Sequence, residues 1–378
     1  MNRQPQYDVA IVGGGLAGLA SAICLRQKGH SVVLFEKEAY PFHRVCGEYI
    51  SMESWNFLLS LGLPLQEWNL PRLDTLQLTA PNGRQFSTRL PLGGFGISRY
   101  KLDYALAQLA ISSGVHLLEK TRVDDIRKEK GFTVHFNQQT IHAKLCLAAY
   151  GKRGNLDVKW KRPFLQQQNK RLNNYVGVKY HVNADWPSNI IGLHNFENGY
   201  CGISKIEEER HCLCYMTRAE NLHHSGNSIE QMQEKVLFKN QHLRKLFTGS
   251  EVLAEFPVTI SQISFSQKST VENGVLMLGD TAGMITPLCG NGMSIALHTA
   301  KIAAGLGDAF LSGKLSQQQM EKRYQQEWRS HFAFRLKTGR TLQAFFGSNR
   351  LSNGFVNLFR MTPFLAGPVI RLTHGKPF

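Results

Sequence analysis

Gly13, Gly15 and Gly18 fall in the order G-x-G-x-x-G, with Leu16 and Ala17 between the last two, and Glu36 follows eighteen residues after Gly18. The first glycine permits a tight turn, the second lets a pyrophosphate approach the backbone, and the third allows close helix-to-strand packing. Backbone N–H groups at the start of the following helix would face the phosphates. A carboxylate at Glu36 would accept hydrogen bonds from ribose hydroxyls and repel a 2′-phosphate. The glycine pattern alone is weak. Here an apolar run precedes it, a helical pattern follows and a second apolar run ends at Glu36. Together these read as a dinucleotide site.

A second glycine-rich stretch decides which dinucleotide. Val275 to Leu278 reads as a buried strand that delivers Gly279 and Asp280 into a small-residue turn. The chain then passes Pro287 to Gly290-Asn291-Gly292-Met293 and a helix. An Asp so placed can hold a polyol hydroxyl, and a second helix N-terminus can support the negative charge of a reduced ring or a pyrophosphate. NAD needs only the first site, whereas FAD is longer and carries a ribityl chain. The two stretches together therefore read as an FAD site. Other reactive side chains have blander readings. Cys212 and Cys214 fall on one face of a strand and read as buried thiols, since their spacing does not fit a zinc knuckle. His43 reads as an exposed turn residue, His223 and His224 as loop residues, and His298 as helix packing. No metal site, Ser–His–Asp pattern or placeable carboxylate pair emerges, so no catalytic side chain is assigned and the chemistry belongs to the flavin.

The elements that must hold these residues follow from periodicity. Tyr7 to Val12, Leu16 to Lys28 and Ser31 to Phe35 read as strand, helix and strand, the opening of a parallel α/β sheet. Arg99 to Ser113 and Met293 to Leu306 read as helices, and Val115 to Leu118, Gly131 to Phe136 and Leu145 to Ala149 as strands. Thr75 to Thr88 alternates around Pro81-Asn82-Gly83, a hairpin signal. Tyr175 to Met216 alternates with turns at Asn198-Gly199 and Glu207 to Glu209, and Asn227 to Phe247 reads as a helix beside it. The expected organisation is a discontinuous FAD-binding domain (1–70, 97–155 and 270–312), an inserted antiparallel substrate domain (71–96 and 156–269) and a basic helical region (313–378).

On these motifs the chain resembles the FAD-dependent superfamily of aromatic hydroxylases, flavin halogenases and geranylgeranyl reductases, from Tyr7 to about Gly313. The resemblance implies an α/β fold with a Rossmann-like FAD-binding domain and an antiparallel sheet over the flavin. It implies that the first motif with Glu36 and Lys37 holds the ADP half, and that Asp280 holds the ribityl side. Pro287 and the Gly290–Met293 turn would flank the ring. Ser98-Arg99-Tyr100-Lys101-Leu102-Asp103 is similar to the family's R-x-x-L-D helix start, which places Arg99 near the pyrophosphate or ribityl; a simple Arg99–Asp103 pair is the other reading. Arg44-Val45-Cys46-Gly47-Glu48 is similar to a stretch that runs past the flavin edge, so Arg44, Cys46 and Gly47 join the set, with Val123. Tyr150 stands where hydroxylases carry an Asp linked to nicotinamide contacts. Gly199 to Ser204 lacks the Trp of tryptophan halogenases, and Ser204-Lys205 replaces the Phe-Pro of geranylgeranyl reductases.

The 378 residues carry 44 Lys plus Arg against 28 Asp plus Glu, a net charge of +16, and 42% are hydrophobic. A sizeable core is available, and a disulfide scaffold, a channel and a repeat protein are excluded. Seven scattered cysteines and an immediate N-terminal strand read as a cytoplasmic protein with reduced thiols. From Leu315 onward ten Lys or Arg meet two acids, interleaved with Phe332, Phe334, Leu336, Leu342, Phe345, Phe346, Phe355, Leu358 and Phe359. That pattern fits helices packed on the body with solvated charges, or a peripheral contact with an anionic membrane; no nucleic-acid module is seen. The expected function is an FAD-dependent monooxygenase that hydroxylates a hydrophobic or phenolic small molecule through a flavin C4a-hydroperoxide, with NADH, NADPH or a separate reductase as the electron donor. The alternative is an ene-reductase of the geranylgeranyl-reductase type acting on a prenyl or lipid alkene. A halogenase and a non-catalytic binder of prenylated partners rank below both.

Overall fold

The computed structural model describes residues 6–166, 173–254, 257–286, 290–345 and 348–378. Pro287 and Phe346 lie outside the described residues, as does the side chain of Phe345. Gln6–Val12 lies at the centre of the first sheet, with Val9, Ala10 and Ile11 fully buried. A strand covered on both faces reads as a continuous apolar run, as this one does. Val32–Phe35 and Gln139–Ala148 flank it in parallel. His116–Leu118 and Val275–Met277 extend the parallel order outward, and Val271–Glu272 adds an antiparallel edge. Val123–Lys128, Phe132–Phe136 and Gln139–Ala148 form an antiparallel meander. The Leu16–Gln27 helix packs against the Arg99–Ser112 and Gly292–Leu311 helices. The fold is thus the Rossmann-like α/β layer expected of an FAD-binding protein.

The second sheet runs Asn173–Asn183, His211–Arg218, Gly199–Lys205, Ile190–Phe196, Arg72–Thr79, Gln85–Gly96 and Tyr49–Ser51, in that spatial order. Glu251–Val252 and Val258–Ser264 both pair with Asn173–Asn183. Every pairing is antiparallel except that of Ile190–Phe196 with Arg72–Thr79. The hairpin closes as its turn residues require: Ala80 and Arg84 pair across it, and Gly83 takes φ +81°. Tyr49–Ser51, within the segment read as 1–70, contributes the edge strand next to Gln85–Gly96.

Alternation assigns the two faces of this sheet. Leu78, Phe86, Tyr175, Tyr200 and Met216 pack with Val356, Phe359 and Ala366 of the C-terminal helices. Phe196, Ile203, Leu213 and Tyr215 face the other way, onto Met232, Leu237, Leu243 and Leu246. The expected helix over 227–247 is instead two helices, Ile229–Lys235 and Gln241–Gly249, with a short 3₁₀ turn between them. Asn240 breaks it. Its backbone is extended, and its buried amide donates to Thr79 Oγ1 at 3.0 Å and to the Asn195 carbonyl at 2.9 Å. Anchoring the sheet in this way outweighs continuing the helix. His223 and His224, read as a loop, end the Ala219–His224 helix.

The C-terminal region forms helices Gln317–Trp328, Phe334–Phe345, Asn349–Met361 and Ala366–Arg371. Phe332 and Leu336 pack into the first core and Phe359 into the second, whereas Phe334 and Leu358 are exposed. Among the described residues no helix is long and apolar enough to cross a membrane. On the segment that leads from the first sheet to the second, Arg162 has a fully buried side chain that ties this segment to the FAD-binding layer. It donates to Asp157 at 2.8 Å, to the Thr281 carbonyl at 3.1 Å and to the Ser269 carbonyl at 2.9 Å. Removing one partner of such a pair leaves the other charged and unpaired away from water. Arg162→Met is expected to cost about 3–5 kcal/mol in denaturant unfolding, and adding Asp157→Leu to recover part of that loss.

Candidate functional site

The first motif forms as its spacing demands. Gly13 takes φ +103°, and a Cβ there would stand 2.5 Å from the Ala149 carbonyl oxygen. A Cβ on Gly18 would collide with the Gly13 carbonyl, so helix and strand touch backbone to backbone at this point. The helix that begins at Leu16 has Gly15 as its N-cap, with no side chain capping it. Its first N–H groups are therefore available to an anion. Glu36 is buried at the end of its strand. One carboxylate oxygen accepts from Gly14 N and from Arg44 Nη2, both at 2.9 Å, and the other accepts from Glu38 N at 3.1 Å. A carboxylate has about four lone-pair directions, so one acceptor direction stays open to a ribose hydroxyl.

Arg44 and Arg99 share one anion. Arg44 Nε reaches Asp103 at 3.1 Å, and Arg99 binds both oxygens of Asp103 at 2.7 Å. The Arg99–Asp103 pair is therefore present, and it leaves Arg99 beside the glycine turn. Arg99 Nη2 lies 3.8 Å from where a Gly15 Cβ would be, beside the phosphate-binding turn. Burial alone would lower its pKa, but Asp103 raises it, so Arg99 stays a fixed cation. Tyr40, which the sequence did not mark, donates its hydroxyl to the Gly14 carbonyl.

The second motif meets the first through small residues. A Cβ on Gly279 would sit 3.3 Å from Ala296 Cβ and 3.6 Å from Ala17 Cβ, and Gly279 itself takes φ +54°. Burial pushes the Asp280 carboxyl up, against the pull of Lys268, Arg99 and Lys152. The close approach of Gly279 to Ala17 brings the two motifs side by side. Lys268 donates to the carbonyls of Lys152 at 2.6 Å and Asp280 at 2.7 Å, holding this turn open. Gly290 takes φ +62° against the Tyr49 ring. Asn291 anchors to the Thr373 carbonyl at 2.9 Å, and the Gly292–Leu311 helix starts there without a side-chain cap. Met293 is buried in the first core. Two uncapped helix starts, a carboxylate with open acceptor capacity and two arginines beside a glycine turn fit the two phosphates and the adenosine and ribityl hydroxyls of FAD.

Two predicted residues lie at the margin of this group. Lys37 is exposed and 3.6 Å from Glu38. Val123 begins its strand buried, its carbonyl accepting from Asn155 at 2.9 Å. Gly47 is exposed, and Cys46 lies beneath it with its thiol pushed up by burial. Tyr150 donates to Asp157 at 2.6 Å beside Arg162. The departure from the hydroxylase pattern is thus part of the buried cluster around Arg162. His298 packs as expected, stacked on Phe378 with ring centroids 4.1 Å apart. His43 is exposed and stacked on Tyr100.

Sequence reasoning missed the node at Glu48. Its carboxylate, fully buried, accepts from Lys179 at 2.7 Å, His181 at 2.6 Å and Arg99 N at 2.8 Å. Burial would raise its pKa, yet His181 and Lys179 hold it at about 2. Also missed was an apolar cleft between the second sheet and the C-terminal helices. Leu76, Leu78, Phe86, Ile191 and Leu193 line it from the sheet, and Phe355, Phe359, Val369 and Ile370 from the helices. Tyr49, Gly290 and His374 bound it on the side of the second motif. The alternation of Ile191 and Leu193 was the available signal; the helices that close the cleft lie some 160 positions further on.

Replacing Arg99 with Met is expected to weaken FAD binding by about 10- to 100-fold, the worth of a lost charge-assisted contact. Flavin fluorescence titration reads this directly. The unfolding midpoint should fall in the same variant, because Asp103 loses one of its two cations.

Comparison with known proteins agrees with this geometry. Residues 6–334 match the family described as FAD binding domain. The digeranylgeranylglycerophospholipid reductase of Methanococcus vannielii is 25% identical over 356 residues, covering 88% of this chain and 84% of the relative. The solved structure of the flavin-dependent brominase Bmp2 superposes with a TM-score of 0.80 at 18% identity, over 97% of this chain and 93% of its own. A geranylgeranyl bacteriochlorophyll reductase-like protein from Thermoplasma acidophilum gives 0.78 at 19%, over 93% and 91%. These last two establish the shared fold. The glycine turns, the paired arginines and the family match lead to one assignment: this chain belongs to the FAD-binding domain family and is an FAD-dependent oxidoreductase.

Proposed function

We propose that the protein is a monooxygenase that inserts oxygen into an amphipathic small molecule with a long apolar body and a phenolic or similar hydroxyl head. NADH or NADPH serves as the electron source. The observation that carries this reading is the polar end of an otherwise apolar cleft. Tyr49 and His374 line it there, next to Gly290. Among the described residues the Tyr49 hydroxyl is buried without a hydrogen-bond partner, and burial keeps it protonated. His374 Nδ1 lies 3.1 Å from the Ile370 carbonyl, so Nδ1 carries the proton and Nε2 is left as an acceptor. Burial lowers the His374 pKa, with only part of that offset by the Ile370 carbonyl. A neutral imidazole and a phenol donor can together hold a hydroxyl head, taking its proton as the ring becomes electron-rich. FAD, when bound, supplies the redox chemistry; the cleft supplies orientation and shelter from water.

A second reading, reduction of an alkene in a prenyl or lipid chain, is favoured by a different observation. Beyond Tyr49 and His374 the cleft lining has no ionisable side chain, which suits a hydrocarbon. The Methanococcus relative is named for such a reduction. Isotope labelling separates the two. The holoprotein with a donor, labelled oxygen gas and an alkylphenol should yield product carrying one labelled oxygen atom. Product from a prenyl lipid that gains hydrogen under nitrogen, with the alkylphenol unchanged in air, would sink oxygen insertion and favour reduction.

The pH profile follows from His374. Its pKa lies below the ordinary imidazole value of about 6.5. The acceptor form therefore persists through neutrality and is lost only as pH falls below that value. Turnover should be flat near pH 7 and decline on the acid side, and His374→Gln should abolish that acid limb. Tyr49→Phe is expected to raise KM for a hydroxyl-bearing substrate about tenfold, the worth of one hydrogen bond, while leaving hydrocarbon binding unchanged.

A further inference from the structure

We infer that the outward face of the C-terminal helices docks on an anionic lipid bilayer and passes hydrophobic substrate into the cleft beneath. The Asn349–Met361 helix is apolar on two faces. Inward, Val356 and Phe359 are buried, and Phe355 and Phe359 line the cleft. Outward, Leu351, Leu358 and Met361 stand at i, i+7 and i+10 with exposures of 49%, 48% and 75%. Gly354, between them on the same face, adds no polar side chain. Phe364, three residues beyond the helix, is 74% exposed and continues the stripe. Single exposed leucines are ordinary, but a continuous stripe ending in an exposed phenylalanine marks a surface with an occupant.

Charge identifies that occupant. Beyond Glu327 the sequence contains no Asp or Glu, and eight Lys or Arg follow. Arg350, Arg360 and Arg371 are exposed around the stripe. Apolar side chains able to enter the acyl boundary, rimmed by cations with no carboxylate to repel phosphate headgroups, are what an interfacial helix on an anionic leaflet requires. Only a bilayer also links the two faces of this helix. Molecules that fit an apolar cleft reside in membranes, and here one helix separates the cleft from the exposed stripe. The inference goes beyond the reaction proposed above and holds for either chemistry, since it concerns where the substrate comes from.

The test uses the full-length holoprotein sedimented with vesicles of phosphatidylcholine alone, or of phosphatidylcholine mixed with phosphatidylglycerol. Binding is expected only to the mixed vesicles and should weaken as salt rises. The double substitution Met361→Glu and Phe364→Glu, at exposed positions outside the cleft, should weaken it roughly tenfold or more with flavin content and melting unchanged. Transfer of a pyrene-labelled fatty alcohol from these vesicles into the protein should slow in parallel, while uptake from detergent solution stays the same. Equal binding to both vesicle types, or no effect of the double substitution, would overturn the proposal. So would light scattering that shows the same substitutions converting a dimer to a monomer, because the stripe would then be covered by a second copy. Unchanged probe transfer would overturn the delivery step.

Discussion

The sharing of Asp103 by Arg44 and Arg99 is the contact on which the site depends. Two guanidinium groups brought together on a phosphate-binding turn would repel each other strongly without an anion between them. Asp103, one helical turn into the Arg99–Ser112 helix, supplies it, and Glu36 takes the other side of Arg44. The result is a buried line of alternating charge beside Gly15. It joins the end of the second strand, the loop after it and the start of the Arg99–Ser112 helix. Each group is held by at least one opposite partner, so the positive field offered to a pyrophosphate is fixed before the cofactor arrives.

A second constraint couples this line to the substrate layer. Glu48 is the last residue of the loop that carries Arg44 into the Tyr49–Ser51 strand, with φ +54°. Its carboxylate binds the backbone of Arg99 on one side and Lys179 and His181 of the antiparallel sheet on the other. Burying one anion with two basic side chains is tolerable only because hydrogen bonds satisfy its oxygens. The geometric consequence is that the sheet is registered against the FAD-binding layer at this loop, where Ser204 also donates to the Gly47 carbonyl at 3.3 Å and Ser98 N to Glu207 at 2.8 Å. On the side of the Gly279–Thr281 turn, Lys152 donates to the Ser261 carbonyl and Arg153 to Gln262, both on the Val258–Ser264 strand of the sheet. Two such points fix an orientation, and the apolar cleft opens between the sheet and the helices that cover it.

The C-terminal helices complete that architecture. Their inward apolar residues divide between the two cores: Phe332 and Leu336 serve the FAD-binding layer, and Val356 and Phe359 the sheet. The packing expected from their composition is what the structure contains; the membrane contact is the proposal made above. Packing accounts for the buried residues, and it leaves the exposed stripe and its cations free. The same segment also brings His374 back to Tyr49, so the polar end of the cleft is assembled from residues more than 300 positions apart in sequence.

The α/β layer and the FAD motifs were legible in the sequence because their physics is local. A glycine at φ +103° or a strand buried on both faces leaves its mark within a few residues. The spacing from Gly18 to Glu36 is set by one helix and one strand. The hairpin around Gly83 and the turn at Asn198 were legible for the same reason. Asn240 defeated the helix expectation, since its partners Thr79 and Asn195 lie on distant strands and no local pattern reports them. Glu48, Tyr49 and His374 were invisible as a group, because a lone Glu, Tyr or His has no periodic signature and acquires meaning only from what it is buried against. The sequence by itself determined the cofactor and the layer that binds it, since these rest on short-range backbone geometry. Only the tertiary structure decided the shape of the cleft, its polar end and the charge node beneath it, since each is made by side chains from segments that meet only when both sheets and the C-terminal helices pack.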